Sequence, residues 1–193
     1  MATRGSYSKG MAKRDEVLRT ALGVFAEKGY LKTSIRELAD AANLSQAGLL
    51  HYFGSKEELL VEILRRREEL NTTAEAGADK LTHFLEVIHE NVLVPGLAQL
   101  FATMSTAATD DAHPAHDYFL TRYAELRAAF AQSIRNRQDN GEIDPLLDAD
   151  RLAAILIAVA DGLQIQWLID ETLDMPGSLD YLWTLVHLAR APR

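Results

Sequence analysis

The stretch Thr33-Ser-Ile-Arg-Glu-Leu-Ala-Asp-Ala-Ala-Asn-Leu-Ser-Gln-Ala-Gly-Leu-Leu-His-Tyr-Phe-Gly-Ser-Lys56 decides the fold. Ser34 and Glu37 have the spacing of a capping box, in which each side chain satisfies an amide left free at a helix start. The helix they open carries Ile35, Leu38, Ala39 and Ala42 along one side. It runs into Asn43, a residue that tolerates the left-handed turn conformation. Ser45 can cap a second short helix bearing Leu49, Leu50 and Phe53 and ending near Gly54. Ser55-Lys-Glu-Glu58 is a second capping box and opens a long helix with Leu59, Leu60, Ile63 and Leu64 on its inner face. Two short helices joined by the tight Ala42-Asn43-Leu44 turn form a candidate helix-turn-helix.

Working outward, Val17, Leu18, Ala21, Leu22 and Phe25 recur at helical spacing, and Lys28-Gly29 supplies a basic last turn and a C′ glycine. Downstream, helices are expected at roughly 79–93, 95–108, 114–139, 148–170 and 178–190. The breaks fall at Pro95, Asp110 to Pro114, Asn140-Gly141 with Pro145, and Pro176-Gly177. No strand pair, internal repeat or low-complexity tract is visible, so the fold class is all-α. A domain boundary is expected within the helix that begins at Ser55, dividing the chain into 1–55 and 56–193 and making a rigid rod the link between the two parts.

The 193 residues are 48% hydrophobic and 25% charged, ordinary for a globular protein able to bury a core. There is no cysteine, which excludes disulfides and thiolate metal sites and suits a reducing cytoplasm. Met1 to Gly10 holds no apolar core of a signal peptide, and the run Leu152 to Ala160 stops at Asp161, too short to cross a bilayer. A cytoplasmic location without a membrane partner is expected. The net charge of −8 hides a division: residues 1–67 hold 12 Lys and Arg against 8 Asp and Glu, whereas residues 68–193 hold 8 against 20. One end suits a polyanion and the other does not.

A helix entering a major groove must expose small or hydrogen-bonding side chains near its start. Gln46, Ala47 and Gly48 meet that need, since Gln bonds adenine edges and the small residues allow close approach. Ser34, Ser45, His51, Tyr52 and Lys56 are suited to phosphate, beside the free amides of helix N-termini. Simple packing of His51 and Tyr52 against the next helix is the competing reading. Arg4, Lys9, Lys13 and Arg14 form an N-terminal arm that could reach DNA or remain a solvated tail.

Val17 to Tyr30, Thr33 to Ser45 and Gly48 to Leu60 together closely resemble the signature of the TetR family of bacterial transcriptional regulators. The resemblance implies a three-helix DNA-binding head followed by a helical ligand-binding and dimerisation domain. It makes Ser45 to Phe53 the recognition helix, with Arg36, Gln46, Ala47 and Gly48 facing bases and Ser34, His51, Tyr52 and Lys56 gripping the backbone. Two departures stand out: Asn43 where many members have Gly, and Leu50 where many have Tyr. The acidic half resembles the family less specifically, most clearly over Asp148 to Asp170.

Apolar residues surround the 148–170 helix more fully than one intrachain face requires. Ile155, Val159, Leu163, Trp167, Leu182, Leu185 and Val186 are therefore candidates for a homodimer interface, full burial within one chain being the alternative. The resemblance further implies an effector pocket, with Phe84, Ile88, Phe101, Met104, Phe119, Tyr123, Phe130 and Trp167 as candidate lining and no cofactor. Asp110, His113, His116 and Asp117 have ligand-like spacing, but a loop entering a helix with Pro114 in its first turn accounts for them more simply, and no metal is assigned. The function implied is a ligand-responsive regulator, a repressor that binds a near-palindromic operator in double-stranded DNA as a dimer and is released by a small molecule. An enzyme lacks support, because no nucleophile motif or phosphate loop is present. A helical protein-interaction module is the remaining rival.

Overall fold

The computed structural model describes residues 4–29, 32–73 and 79–188, and among them the chain forms helices and no strand. Two compact units result, one of residues 1–74 with 94–116, the other of residues 75–93 with 117–193.

The first unit is built on α1 (Arg4–Lys28), α2 (Ile35–Ala41), α3 (Gln46–Phe53), α4 (Lys56–Thr73) and α6 (Pro95–Ala107). Its core follows the apolar spacing: Phe25, Leu38, Leu49, Leu59, Leu60, Ile63 and Leu100 are all but inaccessible to solvent. Both capping boxes form. The Ser34 hydroxyl accepts from the Glu37 amide at 3.2 Å while the Ser34 amide donates to the Glu37 carboxylate at 2.9 Å, and Ser55 and Glu58 repeat the pattern at 3.0 Å. Asn43 takes φ +55°, the one left-handed non-glycine among the described residues, and lets the Leu44 amide turn back to the Ala39 carbonyl at 2.8 Å. Arg14 lies 5.0 Å above the Phe53 ring and pairs with Glu62 at 2.9 Å, tying α1 to α3 and α4.

One expectation changes here. Helix α1 starts at Arg4, so the N-terminal segment continues the helix rather than forming a separate arm. The side chains of Arg4 and Lys9 lie outside the described residues; Lys13 donates to the Ala42 carbonyl at 3.1 Å and Arg14 is held as above. Helices α4 and α6 and the loop to His116 cluster with the first three helices, and Leu59, Ile63 and Leu100 complete their core.

The second unit comprises α5 (Lys80–Asn91), α7 (His116–Asp139, from Asp117 onward), α8 (Ala149–Ile169) and α9 (Met175–Leu188). Leu81, Phe130, Ile134, Ile143, Ala153, Leu156 and Val186 form its core. Helix α9 begins at Met175 instead of 178, since Pro176 is tolerated in a first turn and Asp174 accepts the Gly177 amide at 2.9 Å. Residues 189 and 190 of that expected helix lie outside the described residues. Asp79 caps α5, accepting from the Thr82 amide at 2.9 Å, and also accepts from Arg137 of α7 at 3.0 Å. Arg137 in turn lies 5.6 Å from the Trp183 ring centre, so one cluster fixes α5, α7 and α9. Helix α8 is long and apolar enough by composition to cross a bilayer, yet its Asp161 is hydrogen-bonded inside this unit.

Candidate nucleic-acid interface and effector residues

Helix α3 has eight residues, and its start is fixed by the Ser45 hydroxyl, which accepts the Gly48 amide at 3.0 Å. The preceding amides of Gln46 and Ala47 have no intrahelical partner by helix geometry, and both residues are exposed. A Cβ at Gly48 would come within 3.2 Å of Ser45 Oγ, so a side chain there would press on the cap itself. Leu49 and Phe53 on the opposite face are buried and anchor α3 to the unit. The result is a rigid helix tip of small, neutral groups and two free amides.

The other candidates surround that tip. Arg36 on α2 is 78% exposed, and its 3.8 Å approach to Asp40 is too loose to restrain it. His51 is exposed, Tyr52 is half-buried, and their rings meet edge to face at 6.2 Å. The Tyr52 hydroxyl has no hydrogen-bond partner among the described residues, as suits a ring that packs while its tip meets a phosphate. Lys56 opens α4 and is half-buried. Ser34 and Ser45 are both exposed, but their hydroxyls are engaged in caps. The Glu37 carboxyl is held down at about 2, chiefly by the Ser34 amide and next by Lys28, so the start of α2 stays ionised and fixed.

In the second unit, Phe130 is fully buried against Phe84, with ring centres 4.9 Å apart, and Ile88, Phe119 and Trp167 are buried. Tyr123 is half-buried, and its hydroxyl donates to Asp161 at 2.7 Å. Phe101 and Met104, on α6, belong to the first unit, Phe101 half-buried and Met104 buried. Sequence reasoning missed Asp161. The available signal was its place as the one ionisable residue between Leu152 and Ile169. Burial raises the Asp161 carboxyl against the opposing pull of Tyr123 and Arg122. Burial, then the bond to Asp161, pushes Tyr123 above its ordinary range.

Of the interface candidates, Ile155 (53%) and Leu185 are exposed, and Val159, Leu163 and Leu182 are half-buried. Trp167 and Val186 are buried within their own unit and face its core. Ile165, Ile169, Tyr181 and Leu188 are exposed as well; Ile155, Gly162, Ile165 and Ile169 recur along one side of α8, and Tyr181, Leu185 and Leu188 along one side of α9. A Cβ at Gly162 would meet open space. His113 and His116 are engaged locally, with the Ala115 amide and the Ala108 carbonyl, and among the described residues no three potential ligands converge on a metal position.

Comparison with known proteins matches residues 17–63 to the bacterial regulatory proteins of the tetR family, and residues 97–179 to the C-terminal part of BetI-type transcriptional repressors. The HTH-type transcriptional repressor KstR2 of Mycolicibacterium smegmatis is 29% identical over 83% of this chain and 81% of its own length. The chain belongs to the TetR family. Among solved structures, this TetR-family chain is similar to a transcriptional regulator from Saccharomonospora viridis in complex with choline, at 26% identity and a TM-score of 0.69 over 86% of this chain and 93% of that one. A TetR regulator from Haloarcula marismortui shares the fold at a TM-score of 0.74 and 19% identity, covering 93% of this chain and 98% of that one. TetR-family relatives are named as transcriptional repressors and regulators rather than enzymes, and their fold pairs a helix-turn-helix head with a helical C-terminal domain.

Proposed function

We propose that this TetR-family protein is a cytoplasmic homodimeric repressor that reads a near-palindromic operator through α3 and leaves it when a small molecule binds. The observation that carries the reading is the α3 tip: Gln46 and Ala47 sit exposed, with half-buried Gly48 beside them, on a short helix braced by buried Leu49 and Phe53. In this reading Gln46, with Ala47 and Gly48 beside it, meets base edges, Arg36 reaches over from α2, and Ser34, Ser45, His51, Tyr52 and Lys56 flank phosphates. The apolar rows of α8 and α9 pair with those of a second copy around Gly162, where helices can approach closely. A two-fold pair then presents two α3 helices to successive turns of the groove. Residues 1–55, with Lys56 at the start of α4, carry the DNA contacts, and the rest of 56–193 the effector and dimer functions.

The effector pocket takes its lining from the candidates of the second unit, Phe84, Ile88, Phe119, Phe130 and Trp167, with Tyr123 and Asp161 as polar anchor. The choline complex of the Saccharomonospora regulator and the lauroyl-CoA complex of Thermus thermophilus FadR support a ligand site in this fold. Effector binding favours a dimer whose heads no longer match the operator spacing. The test is a binding titration of the protein on genomic fragments that it retains, repeated across salt. Affinity that falls steeply with salt, and drops further in a folded Tyr52→Ala, Lys56→Ala double variant, is expected. Salt-independent binding, or unchanged affinity in the double variant, would overturn the assignment.

A further inference from the structure

One carboxyl of the second unit keeps an unused oxygen. Asp161, half-buried on α8, accepts the Tyr123 hydroxyl of α7 at 2.7 Å through Oδ2. Its Oδ1 accepts no hydrogen bond among the described residues. Burial raises this carboxyl by more than Tyr123 and Arg122 together lower it, so its ionised form is under-compensated where it stands. A carboxylate in that condition gains from a further donor or cation. Aromatic rings extend from its partner: Phe119, buried one turn earlier on α7, has its ring centre 6.0 Å from that of Tyr123, and buried Tyr118 meets Phe119 edge to face at 5.0 Å. Ring faces attract cations and also cover apolar groups. The surroundings carry the same sign. Residues 75–93 and 117–193 hold 16 Asp and Glu against 8 Lys and Arg, a field that concentrates cations and repels anions.

We propose that the site at Asp161 takes an organic ammonium ion: the ligand's N–H donates to Asp161 Oδ1, and its hydrocarbon body lies along Phe119 and Tyr123. The proposal rests on the effector reading above and adds to it the sign of the ligand's charge. By donating to Oδ2, Tyr123 fixes the plane of the carboxylate, so Asp161 supplies the charge and Tyr123 the position. An anion would meet the same carboxylate as a like charge, and a neutral ligand would leave it under-compensated.

The test uses three molecules that share one skeleton and differ in charge: 2-phenylethylammonium, 2-phenylethanol and phenylacetate. Calorimetry measures their binding to the full chain and to Asp161→Asn, with thermal melting and circular dichroism to establish fold. Wild type is expected to bind the ammonium ion with a Kd of about 1 mM or tighter, at least about tenfold more tightly than the alcohol or the carboxylate. Folded Asp161→Asn is expected to bind the ammonium ion and the alcohol alike. Equal affinities of wild type for the three, tighter binding of phenylacetate, no measurable binding of the ammonium ion, or an undiminished preference in folded Asp161→Asn overturns the proposal. If Asp161→Asn does not fold, Asp161→Ser, which also removes the charge and keeps an acceptor, decides it in the same way. Release of a genomic fragment that wild type retains is measured separately. A fragment released by an anionic or neutral molecule, while the ammonium ion does not bind, refutes the charge assignment and leaves the effector reading standing. An ammonium ion that binds through Asp161 and releases nothing supports the ammonium site and counts against the effector reading.

Discussion

Replacing Asp79 by Ala tests the cluster that holds α5, α7 and α9 together. The carboxylate caps α5 through the Thr82 amide and accepts from Arg137, whose side chain is mostly buried while that of Asp79 is 32% exposed. Loss of a helix cap costs about 1 kcal/mol. Loss of a hydrogen bond to a charged partner costs about 1.5–3 kcal/mol, and partial exposure trims that toward the lower end. The expected deficit at pH 7 is about 2.5 kcal/mol, which at a urea slope of about 2 kcal/mol/M lowers the unfolding midpoint by about 1.2 M. Burial alone would raise the Asp79 carboxyl, but bonds from Arg137, Ser133 and Thr82 outweigh it and hold it well below the usual carboxylate range. A carboxylate depressed on folding stabilises the native state above the unfolded value of about 3.9, and loses that contribution as pH falls toward the folded value. The wild-type advantage over Asp79→Ala is therefore full above about pH 5 and narrows as pH falls from there to 3. Urea unfolding followed by Trp183, which stacks near Arg137, reads it directly. Equal midpoints at pH 7, or a gap that stays constant down to pH 3, would refute the reasoning.

Three further outcomes are expected. Asn43→Gly should fold and bind DNA as wild type does, whereas Asn43→Val, forced to φ +55°, should cost about 1–3 kcal/mol in denaturant unfolding; equal stability of the two would contradict the turn assignment. Ile155→Glu with Leu185→Glu, both on exposed faces, should leave helix content intact by circular dichroism yet sediment as a monomer that no longer binds operator, and a surviving dimer would remove the α8–α9 interface from the account. Asp161→Asn should keep an acceptor for Tyr123 while removing a half-buried carboxyl whose ionised form burial disfavours, so its melting temperature at pH 7 should equal or exceed that of wild type; a large loss of stability would make Asp161 a structural ion instead.

The local features were legible in the sequence because their causes are local. Ser34 with Glu37, Ser45, Asn43 and Ser55 with Glu58 each act within one turn of chain, and each forms as the spacing implies. Long-range packing was not legible. The apolar surround of α8 says that two faces must be covered but not which residues face which side, and so Trp167 and Val186 belong to the core while Ile165, Ile169 and Tyr181 stand outside it. The place of α6 within the first unit depends on a backbone crossing between Gly29 and Gly96, some 67 positions apart, for which single-chain periodicity holds no sign. Pro176 looked like a break because proline ends most helices, but in a first turn its missing amide costs nothing.

The central claim is that the α3 tip reads an operator, and it is tested most directly by genomic selection with two proteins. Wild type and Ala47→Glu, which adds one negative charge to an exposed position and touches no core residue, are each incubated with sheared DNA of the source genome, and the retained fragments are sequenced. The account expects wild type to enrich a near-palindromic site and Ala47→Glu, folded and dimeric, to enrich none. No enrichment by folded, ligand-free wild type, or the same site recovered by Ala47→Glu, would contradict it.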